Sequence, residues 1–322
     1  MKLADVKRRF EEQKAPDFKS DVSKYKFSYD NFYRLPKDKD GNGEAVIRFI
    51  PDKEGEFFVD VYMAKAERGY KNRFISWVSP RTCGGEDLIN ERFMELWGAG
   101  EKEEAKKFKV YKRIFANILV VKDPRNPENE GKVFLLDMSQ KLYELLFKDA
   151  EGDEDRDLKQ LEPFDIPNGN DFKLISEKDT NNIVTYTSRS GWVRKPRKIA
   201  RTKAELKELI EKTYLLSDYK QCRVCPSLEE QREALDYYDG VNASSKSEKA
   251  PEKAPENTPE KTPEKKKEVE KPKFDMDDMD DDAPFETEEE AVETPVETTE
   301  PINESDDDDF GDLDSLFEEE ED

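Results

Sequence analysis

Histidine is absent from this 322-residue chain, and cysteine occurs only three times. Without histidine, no Ser-His-Asp or Cys-His catalytic arrangement and no HExxH zinc site can be assembled. Three cysteines make no disulfide framework and point to a reducing, intracellular compartment. Long apolar runs are missing too. The longest, Ile114 to Val121, falls far short of a membrane span, and the opening MKLADVKRRF lacks the apolar core of a secretory signal. Hydrophobic residues make up 34% against 41% charged. That is too polar for one core to enclose the whole chain, so part of it is expected to be disordered. No phosphate-binding glycine loop and no dinucleotide fingerprint occurs, and no carboxylate pair is set apart by spacing, so the residues point to no enzyme.

Basic residues are also missing from one whole segment. From Phe274 to Asp322 there are 25 Asp and Glu and no Lys or Arg, whereas residues 1–240 balance 46 bases against 46 acids. The net charge of -23 therefore belongs to the end of the chain. Residues 241–273, with Pro recurring among Lys and Glu, read as an extended linker. Residues 274–322 read as a self-repelling acidic tail. Within that tail Phe310, Leu313 and Phe317 fall at i, i+3 and i+7, the spacing of a helical face that orders on docking to a partner.

Residues 1–18 form a basic arm with Lys2, Lys7, Arg8 and Arg9, in which Leu3, Val6 and Phe10 share one face of a short helix. Such a helix is marginal alone and is expected to order on docking. Residues 19–240 carry the folded core. KDKDGNG, Lys37 to Gly43, imitates the start of a calcium loop, but its twelfth position is Phe49 and β-prone residues follow, so a hairpin turn is expected. Phe57 to Val78 reads as a strand pair, Glu86 to Lys107 as helical, and Ala204 to Leu216 as a helix. Lys109 to Asp123 is the strongest strand signal. It has Ile114, Ala116, Ile118 and Val120 on one face and Tyr111, Arg113, Phe115 and Asn117 on the other. Short strands without βαβ alternation predict an α+β chain built on a small β-barrel of OB type with helical additions.

Bases interleave with aromatics in three stretches: around Tyr70, Lys71, Arg73 and Trp77; at Tyr111, Lys112, Arg113, Phe115 and Lys122; and in Thr185 to Lys203. The last has seven bases and no acid, with Tyr186, Trp192, Arg194, Lys195 and Arg197 among its residues. Cations neutralise phosphates, and ring faces stack unpaired bases for roughly 1–3 kcal/mol each, so this pattern selects single strands. In any one stretch the rings could equally fill the core; three together favour binding. Cys222 and Cys225 form a CxxC, half of a zinc site, with Cys83 as a third candidate ligand. A carboxylate or water would have to complete the set, and the alternative is free thiols.

GNGEAVIRFIP (Gly41 to Pro51) and FANILVVKDPRNPENEGKVF (Phe115 to Phe134) resemble the single-stranded DNA-binding, helix-destabilising proteins of T-even-type phages. The resemblance implies an OB-type barrel that binds single strands cooperatively and without sequence preference. Its setting would be phage replication, recombination and repair, in the cytoplasm of an infected bacterium. It implies a basic arm that mediates self-association along DNA and an acidic tail that recruits replication proteins. It places Phe115 at a stacking position. Two features depart from the family. Lys7, Arg8 and Arg9 are followed by Phe10 and Glu11 rather than Ser/Thr, and of the family's His-Cys-Cys-Cys zinc subdomain this region keeps only Cys83. No cofactor is therefore expected. A rival reading makes the chain an acidic adaptor or DNA mimic whose tail binds basic partners; a third, a zinc-dependent nucleic-acid enzyme, suffers from the missing histidine.

Overall fold

A computed structural model describes residues 1–13, 27–67, 69–152, 158–166, 168–178 and 184–240. The linker and the acidic tail, with Phe310, Leu313 and Phe317, lie outside the described residues. Among the described residues, eight strands and seven α-helices follow in the order α1 (Leu3–Glu12), β1 (Gly43–Phe49), β2 (Phe58–Ala66), β3 (Ile75–Val78), α2 (Leu88–Gly98), α3 (Lys102–Ala105), β4 (Phe108–Lys122), β5 (Val133–Met138), α4 (Gln140–Glu151), β6 (Phe172–Lys178), β7 (Val184–Tyr186), β8 (Gly191–Trp192), α5 (Lys203–Glu211), α6 (Ser217–Lys220) and α7 (Leu228–Asp239).

The strands form one antiparallel sheet of order β3-β2-β4-β1-β6-β7, with β5 added to β4 and β8 to β6. The α+β class holds, but the expected OB-type barrel does not form. β3 and β7 end the sheet on opposite sides, and no ladder joins them among the described residues. The reason lies in β4. Its 15 residues carry β2 along the first half (Phe58↔Ala116 to Ala66↔Phe108), β1 along the second (Phe49↔Ile118 to Val46↔Lys122) and β5 across the middle. Helices, rather than closure, cover the apolar faces.

Alternation along β4 separates two cores, as expected for a strand buried on both sides. Ile114, Ala116, Ile118 and Val120 join Ala45, Ile47 and Phe49 of β1 and Phe172 and Leu174 of β6 beneath α4. That helix starts at Ser139, whose hydroxyl accepts the Leu142 N–H at 3.3 Å. It buries Leu142, Tyr143, Leu146, Phe147 and Ala150, spaced to form one stripe. Phe115 faces the other way, into a core with Val59, Val61 and Met63 of β2 and Leu216, Tyr219 and Cys222. A third cluster packs α2 and Tyr238 of α7 on Ala64, Ala66, Trp77, Phe108 and Val110. α7 opens with a capping box between Ser227 and Glu230.

The basic arm is helical and seated on its own core. Leu3 and Val6 are buried, and the Phe10 ring lies 4.7 Å from that of Tyr143. The Gln13 amide donates to the Phe58 carbonyl at 2.8 Å. A turn forms at Asp38, but not the expected hairpin, because among the described residues no strand precedes it and β1 pairs with β4 and β6; the Asp38 carboxylate accepts the Asp40 and Asn42 amides at 3.0 and 2.8 Å and pairs with Arg125 at 3.1 Å.

Candidate nucleic-acid interface

The site begins on the odd-numbered row of β4. Lys109, Tyr111, Arg113 and Phe115 stand opposite Lys65, Met63, Val61 and Val59 of β2, and Ser76 of β3 stands opposite Lys65. The inner half of this row is roofed. The Phe115 ring meets those of Phe32 at 4.9 Å and Tyr219 at 5.4 Å, and Asn117 exchanges two hydrogen bonds with the backbone of Tyr214, at 2.8 and 2.9 Å. On the outer half Lys65, Ser76, Lys109 and Tyr111, all half-buried, form a row across β3, β2 and β4. The Tyr29 hydroxyl lies 2.8 Å from the Ser76 hydroxyl, and the Arg34 guanidinium sits 5.9 Å from the Tyr29 ring. Burial pushes the Tyr29 hydroxyl up to about 12, so it stays a neutral donor. Arg113 closes this end, paired with Asp137 of β5 at 2.6 Å.

Lys65 joins this row to an exposed cluster of rings. Its ammonium lies 5.6 Å from the Phe74 ring. Tyr70, Phe74 and Tyr237 are 43%, 41% and 57% exposed, unusual for large rings on a folded surface. Cations attend each one: Lys71 lies 5.3 Å and Arg73 5.7 Å from the Tyr70 ring, and Arg73 lies 3.0 Å from the Tyr237 ring. The arrangement depends on a tight turn in which Lys71 and Asn72 both adopt left-handed backbone, φ 55 and 58. It depends equally on α7, where Tyr238 points inward and donates to the Glu67 carbonyl at 2.5 Å while Tyr237 points out. Further cation–ring pairs continue over this lobe, Arg81 with Tyr62 at 4.8 Å and Lys102 with Trp97 at 5.2 Å.

The residues nominated from sequence divide. Tyr70, Lys71 and Arg73 come together in the exposed cluster, and Tyr111 and Tyr186 lie near Arg113. Phe115, Trp77 and Trp192 belong to the cores instead, at 0%, 8% and 5% exposure, and a ring sealed in this way offers no face to a base. The Trp192 indole even donates to the Leu146 carbonyl at 2.8 Å. Lys112 faces the opposite side of the sheet and pairs with Asp60 at 3.4 Å. Arg194 pairs with Asp149. Arg197 meets Asp171, which also holds the buried Arg48, each at 2.8 Å, and this fastens the basic segment to β1 and β6. Lys122 and Lys195 are exposed and hold no ion pair among the described residues. In the arm Lys2 is exposed, while Lys7, Arg8 and Arg9 meet Glu151, Asp5 and Glu56 at 3.4 to 3.7 Å. Sequence reasoning did not nominate Phe74 or Tyr237. The adjacent pair Tyr237–Tyr238 was the available signal, since neighbours on a helix point about 100° apart.

Two of the three cysteines are not free thiols. Cys83 and Cys222 form a disulfide with Cα atoms 6.3 Å apart, and Cys225 is a buried thiol that burial pushes well above the usual thiol range. Zinc, the ligand considered for Cys83, Cys222 and Cys225, does not fit them. Two of the three sulfurs are bonded to each other, and among the described residues no group of three or more His, Cys, Asp or Glu is placed to hold a metal. No described helix is long and apolar enough to cross a membrane.

The sequence model of the family described as gp32 DNA binding protein like matches residues 41–237. The single-stranded DNA-binding protein of Enterobacteria phage T4 is 34% identical over 123 residues, which cover 35% of this chain and 38% of the relative. That of Enterobacteria phage T2 is 35% identical over 121 residues, with the same coverage. The match thus spans well under half the length of these relatives.

Proposed function

The chain belongs to the gp32 DNA-binding-protein-like family, and from this premise we propose that it binds single-stranded DNA without strong sequence preference and performs no reaction on it. One observation carries the reading: three exposed rings with cations beside them, Tyr70, Phe74 and Tyr237, continue through Lys65 onto a half-buried row with Lys109, Tyr111 and Tyr29. Exposed ring faces can stack on any base, because every base has a flat apolar face, whereas a duplex keeps those faces to itself. The cations meet phosphates and release counterions, which supplies affinity independent of sequence. Phosphate contacts fall to Lys71, Arg73, Lys65 and Lys109; stacking falls to Tyr70, Phe74, Tyr237 and Tyr111.

Two finer features belong to the same proposal. The docked arm leaves Lys2, Lys7, Arg8 and Arg9 on its outer surface, positioned to meet the next copy along a strand and make binding cooperative. The acidic tail, beyond the described residues, recruits partner proteins of DNA replication and recombination and competes with DNA for the cationic face.

The test is a titration of oligo(dT) and of a duplex of equal length at several salt concentrations. Preference for the single strand, with affinity falling linearly in the logarithm of salt, is expected. Equal affinity for both, or no salt slope, would remove the reading.

A further inference from the structure

Cys83 and Cys222 are 139 residues apart in sequence, and their disulfide joins two loops that each lead into a helix. Cys83 ends a short turn, Pro80–Cys83, between β3 and α2, and Cys222 lies between α6 and α7. The chain before each cysteine is anchored without the bond. The Thr82 hydroxyl accepts the Tyr62 N–H at 2.9 Å, and the Ser79 hydroxyl donates to Asp87. The Asp52 carboxylate accepts the Leu216 N–H at 2.9 Å, and Lys220 pairs with Asp60. Beyond Cys222, α7 is held near its two ends. Gln231 bridges the Leu88 N–H and the Glu86 and Pro226 carbonyls at 2.9 to 3.4 Å, and Tyr238, Arg92 with Asp239, and Arg73 with the Tyr237 carbonyl hold the far end. Cys222 itself has left-handed backbone, φ 53, a conformation that a residue with a side chain keeps only where its surroundings impose it. The cross-link is one such constraint.

We propose that this disulfide is a redox-controlled latch on α7 and, through Tyr237, on the exposed ring cluster; its effect on DNA rests on the single-strand reading above. Closed, it keeps the loop before α7 against the loop before α2, and so keeps Tyr237 beside Arg73. A dithiol opens it. Two successive thiolate attacks break the Cys83–Cys222 bond, a proton ends on each freed sulfur, and the dithiol leaves as its own cyclic disulfide. A small disulfide reverses the exchange and closes the latch. Both sulfurs belong to buried residues, so attack waits until the loops part. Cys225 does not compete for the bond. Its N–H donates to the Cys222 carbonyl at 3.1 Å, so it is close, but burial holds its thiol protonated and a thiol is no nucleophile. The low cysteine count points to reducing surroundings, where a disulfide is more often a redox-responsive element than a permanent staple.

The experiment uses the full chain, oxidised with glutathione disulfide or reduced with dithiothreitol. Alkylation in urea should count one thiol in the oxidised form and three in the reduced form. On reduction, amide hydrogen exchange across Leu228–Asp239 should rise about tenfold while exchange in β4 stays as it was. Oligo(dT) affinity should fall severalfold and recover on reoxidation, and a chelator should change neither. Cys83→Ser should bind as the reduced parent does under both conditions, whereas Cys225→Ala should keep the full response. Three thiols after oxidation, α7 exchange indifferent to reduction, exchange rising equally in β4, or a response lost in Cys225→Ala would overturn the latch. Faster α7 exchange at unchanged affinity would overturn its control of binding. If neither form binds oligo(dT), the single-strand reading falls instead, and α7 exchange still decides whether the latch exists.

Discussion

The Arg73 guanidinium lies 3.0 Å from the ring of Tyr237 and donates a hydrogen bond to the Tyr237 carbonyl, though 164 residues separate the two in the chain. One face of the tyrosine is thereby fixed by a cation, and the other is open to solvent. A ring held this way pays little entropy when a base stacks on it.

Tyr237→Ala should therefore weaken oligo(dT) binding by about 1–3 kcal/mol, the range for loss of one stacked base. Stability should change by about 0.5 kcal/mol or less, because the side chain is 57% exposed. Fluorescence titration and urea unfolding measure the two. Unchanged affinity would show that Tyr237 is not a platform.

The bases of the Thr185–Lys203 segment are expected to behave in the opposite way. Asp171 sits between the buried Arg48 and the half-exposed Arg197, and removing it leaves a buried guanidinium uncompensated. Asp171→Ala should cost about 3–5 kcal/mol of stability, the range for breaking one partner out of a buried pair. The fraction still folded should bind oligo(dT) as the parent does. A large loss of affinity at unchanged unfolding midpoint would place this cluster in the DNA site instead.

These contrasting outcomes show what the sequence could and could not convey. Alternation along Lys109 to Asp123 places Phe115 on the face shared with Tyr111 and Arg113, and the structure keeps it there. Whether that face is open depends on its roof. Phe32 and Tyr219 lie far from Phe115 in sequence, and no local pattern announces that they meet over it. Arg113 is likewise a free cation in sequence and an ion pair in space, because β5 brings Asp137 to β4. Strand positions were legible from alternation, but closure was not. The lack of a barrel follows from β1 and β2 lying one after the other along β4, a matter of partner choice rather than of propensity. Tyr70, Lys71 and Arg73 were legible because their turn is local; Tyr237 reaches them only through the packing of α7.

Asp52 gives a pH signature. Burial pushes its carboxyl up to about 6, even though the backbone N–H groups of Leu216, Glu56 and Glu54 donate to it. The folded pKa exceeds the unfolded value, so the folded state binds more protons between about pH 4 and 6. This group's contribution to stability therefore falls as pH rises through that window and is lowest above it. Asp52→Asn should remove that component: the stability difference between parent and variant should shift in the parent's favour as pH is lowered from 7 to 4.5. A difference independent of pH, from urea unfolding at each pH, would mean that Asp52 titrates normally.

The acidic tail makes the last prediction. α7 ends at Gly240, whose backbone is left-handed (φ 79) and so close to Tyr70 that an added Cβ would come within 2.7 Å of the ring. The described residues therefore end beside the exposed ring cluster, and a tether rooted there would give the 25 carboxylates of Phe274 to Asp322 a high local concentration around Lys71 and Arg73. If the tail occupies the same cations and competes with DNA, as proposed, deleting residues 274–322 should tighten oligo(dT) binding at low salt. The competition is electrostatic, so it must fade as the screening length shrinks from about 30 Å at 0.01 M to about 3 Å at 1 M salt. Plotted against salt, the affinities of full-length and truncated chains should converge, the truncated one starting tighter and falling more steeply. Parallel lines would mean that the tail does not reach the cationic face, and a truncated chain that binds more weakly at low salt would mean that the tail assists binding.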